Sequence, residues 1–99
     1  MKIKAKVKKD ITKVKMLIKH PMETGRRKDQ DGNVIPGLYI TEVSASHNGQ
    51  PVFHAEVGQA VSKDPYMAFS FKGGVSGDKI SITWIDSSGA TETGEAAIK

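Results

Sequence analysis

The histidines and methionines are the residues whose chemistry could define a site in this chain. Three histidines, four methionines and no cysteine occur among its 99 residues. Without cysteine there can be no thiolate nucleophile, no disulfide and no cysteine-ligated metal. Imidazole and thioether groups together suit copper, and His20 lies two positions before Met22. A copper-binding protein that uses His20 and Met22 is therefore one hypothesis for its function.

The spacing of the histidines argues against a metal site elsewhere. Metal sites in β proteins often take two histidines two positions apart on one strand face, and the sequence has no such pair. His47 falls in a predicted turn. His54 falls on the outer face of a predicted strand near Glu42, where a solvated cross-strand pair is the simpler interpretation. We predict no metal ion and no cofactor.

Arrangements for catalysis are equally hard to find. The serines have no nucleophile-elbow motif around them. Glu23 with Asp29 or Asp31 could be a carboxylate pair, but the cations at 26–28 favour local ion pairs instead. Gly73-Gly74 lacks the lysine and hydroxyl spacing of a phosphate loop and does not precede a predicted helix. The sequence predicts a protein that is not an enzyme.

A long polar stretch between two predicted strands is the strongest candidate for recognition. Residues 20–36 read HPMETGRRKDQDGNVIP. Three consecutive cations exclude a packed interior, because unpaired buried charge is costly, so we expect a long exposed connection. Loops of more than about twelve residues are usually functional or disordered. The strands predicted on both sides favour an ordered, functional loop.

We predict that this stretch binds another protein. Met22 would supply an apolar anchor, and Arg26 and Arg27 would supply fork-shaped donors, since methionine and arginine are enriched in protein interfaces. A second candidate is Pro65 with the aromatic Tyr66, which could lie at a joint between subunits. The predicted partner-binding residues are His20, Pro21, Met22, Glu23, Thr24, Gly25, Arg26, Arg27, Pro65 and Tyr66.

A net charge of +4 and a pI near 9.4 raise the question of nucleic-acid binding. Much of the excess comes from lysines that alternate with apolar residues, which is typical of the wet face of a strand. We interpret them as a solvated, aggregation-resistant edge, because the aromatic platform expected for single-stranded nucleic acid is missing there. These lysines are Lys2, Lys4, Lys6, Lys8, Lys9, Lys13, Lys15 and Lys19.

Alternation of apolar and polar residues with a period of two runs through nearly the whole chain and predicts an all-β fold. The predicted strands lie at about 3–8, 12–20, 38–46, 50–57, 67–71, 80–84 and 91–98. About seven short antiparallel strands joined by turns indicate an immunoglobulin-like β-sandwich, here without its disulfide. A chain of this length forms one domain, residues 1–99.

The turn between the third and fourth predicted strands sets their register. An Asn-Gly pair ordinarily makes a two-residue hairpin, but here that register would mix polar and apolar residues on both faces. We therefore expect a three-residue loop of His47, Asn48 and Gly49, with a bulge at Gly49. This register places Val43 opposite Phe53.

The amino-acid sequence of several segments resembles that of one known family. His20-Pro21-Met22-Glu23-Thr24-Gly25 is followed by Arg27-Lys28-Asp29 and Ile35-Pro36, and further matching blocks continue in order along the chain. Together they resemble SoxZ, the Z subunit of the bacterial sulfur-oxidation carrier complex. The further blocks are His47-Asn48-Gly49, Val61-Ser62-Lys63 with Pro65, Phe69-Ser70-Phe71-Lys72-Gly73 and Gly77-Asp78-Lys79.

The resemblance implies a function that composition does not. SoxZ pairs with a SoxY subunit, which carries sulfur intermediates on a cysteine of its C-terminal arm during thiosulfate oxidation. The chain would then be the non-catalytic half of a heterodimer and would meet other sulfur-oxidation enzymes transiently, without nucleic acid or membrane partners. The family also implies a periplasmic location. No signal peptide and no apolar run of about 18 residues is visible, which fits export together with SoxY.

Overall fold

The structure, a computed structural model, describes residues 1–58 and 61–99. Its strands alternate in burial along most of their length and end within three residues of the predicted bounds. They are β1 (Lys2–Lys8), β2 (Ile11–Leu17), β3 (Ile40–His47), β4 (Gln50–Glu56), β5 (Tyr66–Lys72), β6 (Lys79–Asp86) and β7 (Thr91–Ala97). The predicted all-β fold is confirmed.

Two antiparallel sheets form a β-sandwich, as the sequence predicts. The first has the strand order β1-β2-β5, and the second has the order β4-β3-β6-β7. In a constant-type immunoglobulin domain the fourth strand extends the first sheet. Here β4 pairs with β3 instead. The long connection between β2 and β3 crosses from one sheet to the other, because these strands belong to different sheets.

The core lies between the inner faces of the two sheets. Val14, Met16 and Ile18 of the second strand region are almost completely buried, as the alternation predicts. Phe53 of β4 stacks on Phe69 of β5, with ring centroids 4.4 Å apart, and closes one side of the sandwich. Burial of one such large apolar side chain stabilises the fold by roughly 1.5–3 kcal/mol.

The end of the chain covers the free edge of β1. The amide of Lys99 donates to the carbonyl of Ala5 at 2.9 Å, and the amide of Val7 donates to the carbonyl of Lys99 at 3.0 Å. Ile98, which follows β7, forms a parallel bridge with Ala5. These bonds connect the two sheets through the backbone.

The β3–β4 turn differs from the predicted one. His47 pairs with Gln50, which leaves a two-residue turn of Asn48 and Gly49. Both turn residues have positive φ, 48° and 85°, as a two-residue Asn-Gly hairpin requires. The predicted three-residue loop and its bulge at Gly49 are wrong.

A bulge in the β3–β4 pair explains why a two-residue turn does not mix polar and apolar residues on each face. Phe53 lies opposite Ala45 and not opposite Val43, and the next pair toward the turn joins Ser46 with Pro51. One extra residue of β4 is accommodated at this shift in register. The tight turn and the inward orientation of both apolar faces are therefore compatible.

The connection between β4 and β5 is described only in part, because residues 59 and 60 lie outside the described ranges. Lys63 and Asp64 form bends. Along residues 1–58 and 61–99 there is no helix long and apolar enough to cross a membrane.

Gly74 gives a test of the packing at the end of β5. Its φ is +91°, and a Cβ atom there would overlap the hydroxyl of buried Thr12, which donates to the Gly73 carbonyl at 2.7 Å. We expect Gly74→Ala to lower the free energy of unfolding by about 2 kcal/mol or more, measured by urea denaturation. Gly77→Ala is the control, since Gly77 also has positive φ but a Cβ atom added to it would meet no other atom within 4 Å. Equal losses in both variants would contradict the overlap.

Candidate functional site

The connection from residue 18 to residue 39, called here the β2–β3 hairpin, is ordered and pairs with itself. Glu23 exchanges backbone hydrogen bonds with Leu38 at 2.7 and 2.8 Å. Farther out, Lys28 and Val34 form a second antiparallel bridge. The expected long loop is thus an irregular hairpin whose two antiparallel segments bridge each other. Its outer part, residues 26–34, is exposed.

Side chains hold the outer part of the β2–β3 hairpin in shape. Oδ1 of Asp29 accepts hydrogen bonds from the amides of Asp31 and Asn33 at 2.9 and 3.0 Å. Arg27 binds Glu23 through two contacts, one of which joins Nε to Oε2 at 3.2 Å. The hydrogen bond from Arg27, aided by the charges of Arg27 and Lys63, holds the pKa of Glu23 below its usual range. The predicted local ion pairing is confirmed for Glu23 and Arg27.

The base of the β2–β3 hairpin is buried. His20 is 4% exposed and Met22 is 6% exposed. Nδ1 of His20 accepts the amide of Met22 at 3.0 Å, and Nε2 lies 3.2 Å from Oδ2 of Asp86 at the end of β6. The neutral tautomer that satisfies both contacts carries its proton on Nε2. Trp84 packs against the same ring edge to face, with centroids 5.2 Å apart.

Asp86 connects this base to the turn between β6 and β7. Its Oδ1 accepts the hydroxyl of Ser88 at 2.6 Å and the amides of Ser88 and Ala90 at 2.9 and 3.1 Å. Burial raises the pKa of Asp86, but the hydrogen bonds from Ser88, His20 and Ala90 outweigh it and place that pKa below its ordinary value. One buried carboxylate therefore holds two loops together.

The burial of Met22 corrects the sequence analysis, which expected an exposed apolar anchor. Its Sδ accepts the amide of Ile40 at 3.3 Å, and its φ is +49°. The copper hypothesis is also not favoured, because both ring nitrogens of His20 and the sulfur of Met22 already have partners within the chain. No group of three or more potential ligands from His, Cys, Asp and Glu is found in the part of the chain that the structure describes.

The two stretches predicted to bind a partner lie side by side. The amide of His20 donates to Oδ1 of Asp64, and the amide of Asp64 donates back to the carbonyl of His20, both at 2.9 Å. Pro65 is buried and its carbonyl accepts the amide of Ile18 at 3.0 Å. Tyr66 is 62% exposed. The structure thus joins two candidates that are more than forty residues apart in sequence.

An open cleft separates these two stretches at the surface. It has a volume of about 580 Å³ and is lined by Pro21, Met22, Glu23, Thr24, Arg27 and Lys63. A smaller cleft of about 350 Å³ adjoins it along Pro21 and Lys63 and includes Lys19. Beside them, the exposed side chains of Leu17 and Tyr66 face each other across β2 and β5. We call these two clefts with Leu17 and Tyr66 the cleft end. Its lining offers cations and apolar contact surface.

The sequence of this chain matches the protein-family model described as sulphur oxidation protein SoxZ over residues 1–97. The chain belongs to the SoxZ family. Membership confirms the resemblance drawn from the sequence blocks and gives the chain a role in sulfur oxidation. No curated protein matches it.

Several residues that shape the cleft end of this SoxZ-family chain could not be identified from the sequence. Asp64, Trp84 and Asp86 contact His20 from distant strands and loops, and no local pattern pairs them with a histidine. The Asp-Ser-Ser-Gly run at 86–89 is a turn signal that marks Asp86 as a capping residue, but it does not identify His20 as its partner. The predicted outer-face pair of His54 and Glu42 is present, with 3.9 Å between Nε2 and Oε2.

Asp86→Asn tests the buried connection. At neutral pH we expect the variant to lose about 2 kcal/mol of stability, because an amide cannot replace a carboxylate that accepts hydrogen bonds from so many donors. Since the pKa of Asp86 is lowered in the folded state, its stabilisation is present above about pH 4 and is lost as the pH falls through the folded pKa. The measurement is urea unfolding of both proteins from pH 7 to pH 2. A stability difference that stays constant over this range would contradict the assignment.

Proposed function

We propose that this SoxZ-family chain is the non-catalytic subunit of a sulfur carrier complex in thiosulfate oxidation. It binds a SoxY-like subunit as a heterodimer and presents that subunit's sulfur-bearing arm to the enzymes that act on it. The complex works in the periplasm and is exported as a pair. Family membership supports the sulfur-oxidation role, and the exposed residues beside the clefts support the binding role.

The observation that carries the proposal is the exposed apolar pair of Leu17 and Tyr66 beside the cleft. Leu17 is 38% exposed and Tyr66 is 62% exposed, and they are direct partners in the register of β2 and β5. An exposed aromatic on a rigid strand is the kind of residue that dominates binding energy when a partner covers it. The lysine and arginine side chains of the clefts would form the polar rim of such an interface.

The absence of cysteine from the sequence suits the proposed division of labour. Covalent attachment of sulfur requires a thiolate, which the partner's arm would supply. The present chain would contribute a fixed surface. Its backbone is held by the hydrogen bonds between His20 and Asp64, so little conformational entropy would be lost when the partner binds.

The β2–β3 hairpin is proposed to present or shield the partner's arm. Its exposed outer part projects next to the cleft, and the sandwich with this projection measures 54 Å in its longest direction against 20 and 17 Å in the others. Arg27, fixed by Glu23, holds a guanidinium at the mouth of the cleft. A flexible arm that carries an anionic sulfur group would find a fixed donor there.

Coexpression with the neighbouring reading frame that ends in a Gly-Cys-Gly-type tail tests the heterodimer. We expect the two chains to copurify. Tyr66→Asp should weaken the complex by about tenfold or more, because it places a charge in the apolar centre of the interface. Val75→Asp is the matched control, since Val75 is equally exposed at 63% but lies beyond the other end of β5. Failure to copurify, or equal weakening in both variants, would contradict the proposal.

Arg27→Glu tests the hairpin separately. We expect the affinity for the SoxY-like subunit, or the turnover of the carrier by its enzymes, to fall severalfold, because the mouth of the cleft becomes acidic. The double variant Glu23→Arg/Arg27→Glu restores the ion pair but moves the guanidinium. Recovery in the double variant would indicate a structural role for the pair, and unchanged binding and turnover in the single variant would remove the hairpin from the proposal.

A further inference from the structure

The outer face of the β1-β2-β5 sheet carries an unusual concentration of charge. Seven exposed lysines project from it: Lys2, Lys4, Lys6, Lys8, Lys13, Lys15 and Lys72. We call this surface the lysine face. None of these lysines takes part in an ion pair with a carboxylate among the residues that the structure describes.

The register places lysines against lysines. Lys4 lies opposite Lys15, and Lys6 lies opposite Lys13, across β1 and β2. Like charges directly opposite each other destabilise an antiparallel pair. The chain has 11 acidic residues, yet the outward positions of these three strands contain none. All charged side chains on this face are therefore positive, and their mutual repulsion lowers the stability of the isolated domain.

Protection of a sheet edge does not explain the arrangement. These lysines were expected to form an aggregation-resistant edge, but β2 is the central strand of its sheet. Lys13 and Lys15 thus project from a strand that is already paired on both sides. The edge of β1 is itself covered in part by Ile98 and Lys99. Something other than edge protection must account for the charge of the central strand.

The other outer face has the opposite character. On the β4-β3-β6-β7 sheet, Glu42, Glu56 and Glu95 lie among serines and threonines, with Lys79 as the cation of that face. The two signs of charge are therefore separated on opposite sides of a thin sandwich. Such a separation orients the molecule as it approaches a charged partner and raises the rate of productive encounter.

We propose that the lysine face is a docking surface for the acidic surface of a globular protein that acts on the carrier in passing. This inference rests on the proposed function, since it concerns the enzymes that meet the carrier rather than the subunit that holds the arm. Between the lysines the outer sheet face carries Ile11, Ala68 and Ser70, which offer no aromatic platform for the bases of a single strand. A three-stranded face is also broader than the helix or two-stranded ribbon that the major groove of duplex DNA admits. The carboxylates of a protein surface therefore fit the lysine face better than a nucleic acid does.

The size of the lysine face suits a short-lived complex. Strands of seven residues, at about 3.4 Å per residue and about 4.8 Å between strands, give a surface of roughly 24 by 14 Å. That is a few hundred Å², well below the roughly 800 Å² per partner of a stable interface. Leu17 and Tyr66 lie at one end of the same sheet face, so an enzyme docked on the lysines would sit next to the cleft end.

The test uses the complete heterodimer and its purified sulfur-oxidising enzymes. In Lys13→Glu/Lys15→Glu we expect kcat/KM for the carrier to fall about tenfold or more with kcat nearly unchanged, and its dependence on salt to flatten. The variant should fold at least as well as the wild type, because Lys6 and Lys4 gain opposite charges across the strands. Lys79→Glu/Gln50→Glu/Ser76→Glu is the control with the same change in net charge, at exposed positions outside the lysine face, the clefts and the β2–β3 hairpin, and should lose less than about threefold.

Several results would overturn the proposal. Equal losses in the control and in the Lys13/Lys15 variant would show an effect of net charge alone. Loss of copurification with the SoxY-like subunit in the Lys13/Lys15 variant would make the lysine face the subunit interface. Wild-type binding of duplex DNA or phosphatidylglycerol vesicles at about 0.15 M salt, or self-association by sedimentation, with enzyme kinetics unchanged by the variant, would assign another occupant. Failure of the wild-type chain to copurify with the subunit would instead refute the proposed function.

Discussion

The hydrogen bond between His20 and Asp86 is the interaction on which the rest of the site depends. It joins the point where the chain leaves the first sheet to the end of a central strand of the second sheet, and both side chains are buried. A buried carboxylate is tolerated only when its oxygens are satisfied, and here Ser88 and Ala90 complete that requirement. The β2–β3 hairpin can therefore project from a base that buried hydrogen bonds hold in place, although its own outer part is exposed.

Local backbone strain accompanies this anchoring. Met22 lines the larger cleft and Asp64 the smaller one. Both adopt left-handed φ values, 49° and 51°, that residues other than glycine seldom take. Such conformations cost of order 1–3 kcal/mol each and persist where the surroundings over-determine them. The bond from Met22 to the His20 ring and the pair of bonds between His20 and Asp64 provide those surroundings. Strain of this kind tends to cluster at functional surfaces, which agrees with the role assigned to the cleft end.

The two proposals assign two kinds of recognition to different parts of the fold. The exposed side chains of Leu17 and Tyr66 lie together at one end, where a long-lived subunit interface would need apolar contact area. Positive charge is spread along the adjoining sheet face, where it would favour fast and reversible encounters. A carrier that must keep one partner and exchange others benefits from having both on one rigid sandwich, because neither type of contact requires the domain to rearrange.

Much of this protein could be predicted from its sequence because the information is local. Apolar and polar residues alternate with a period of two in strands that bury one face, as at Val14 and Met16. The sequence motifs around His20 and His47 indicate the SoxZ family. The turn at Asn48-Gly49 shows the limit: its two-residue form is a local signal, but the bulge that reconciles it with the apolar faces depends on both strands together.

The tertiary structure alone decided which residues of the candidate segments are accessible and what they meet. Met22 is buried because Asp86 and Asp64 fix the base of the hairpin, and both lie far away in sequence. Lys13 and Lys15 face other lysines because β2 is central and the register with β1 aligns them, which no alternation pattern reveals. The physical reason is the same in each case. The periodicity of apolar residues and the composition indicate only which residues lie on each side of one strand, whereas burial, ion pairing and exposed charge depend on contacts between strands.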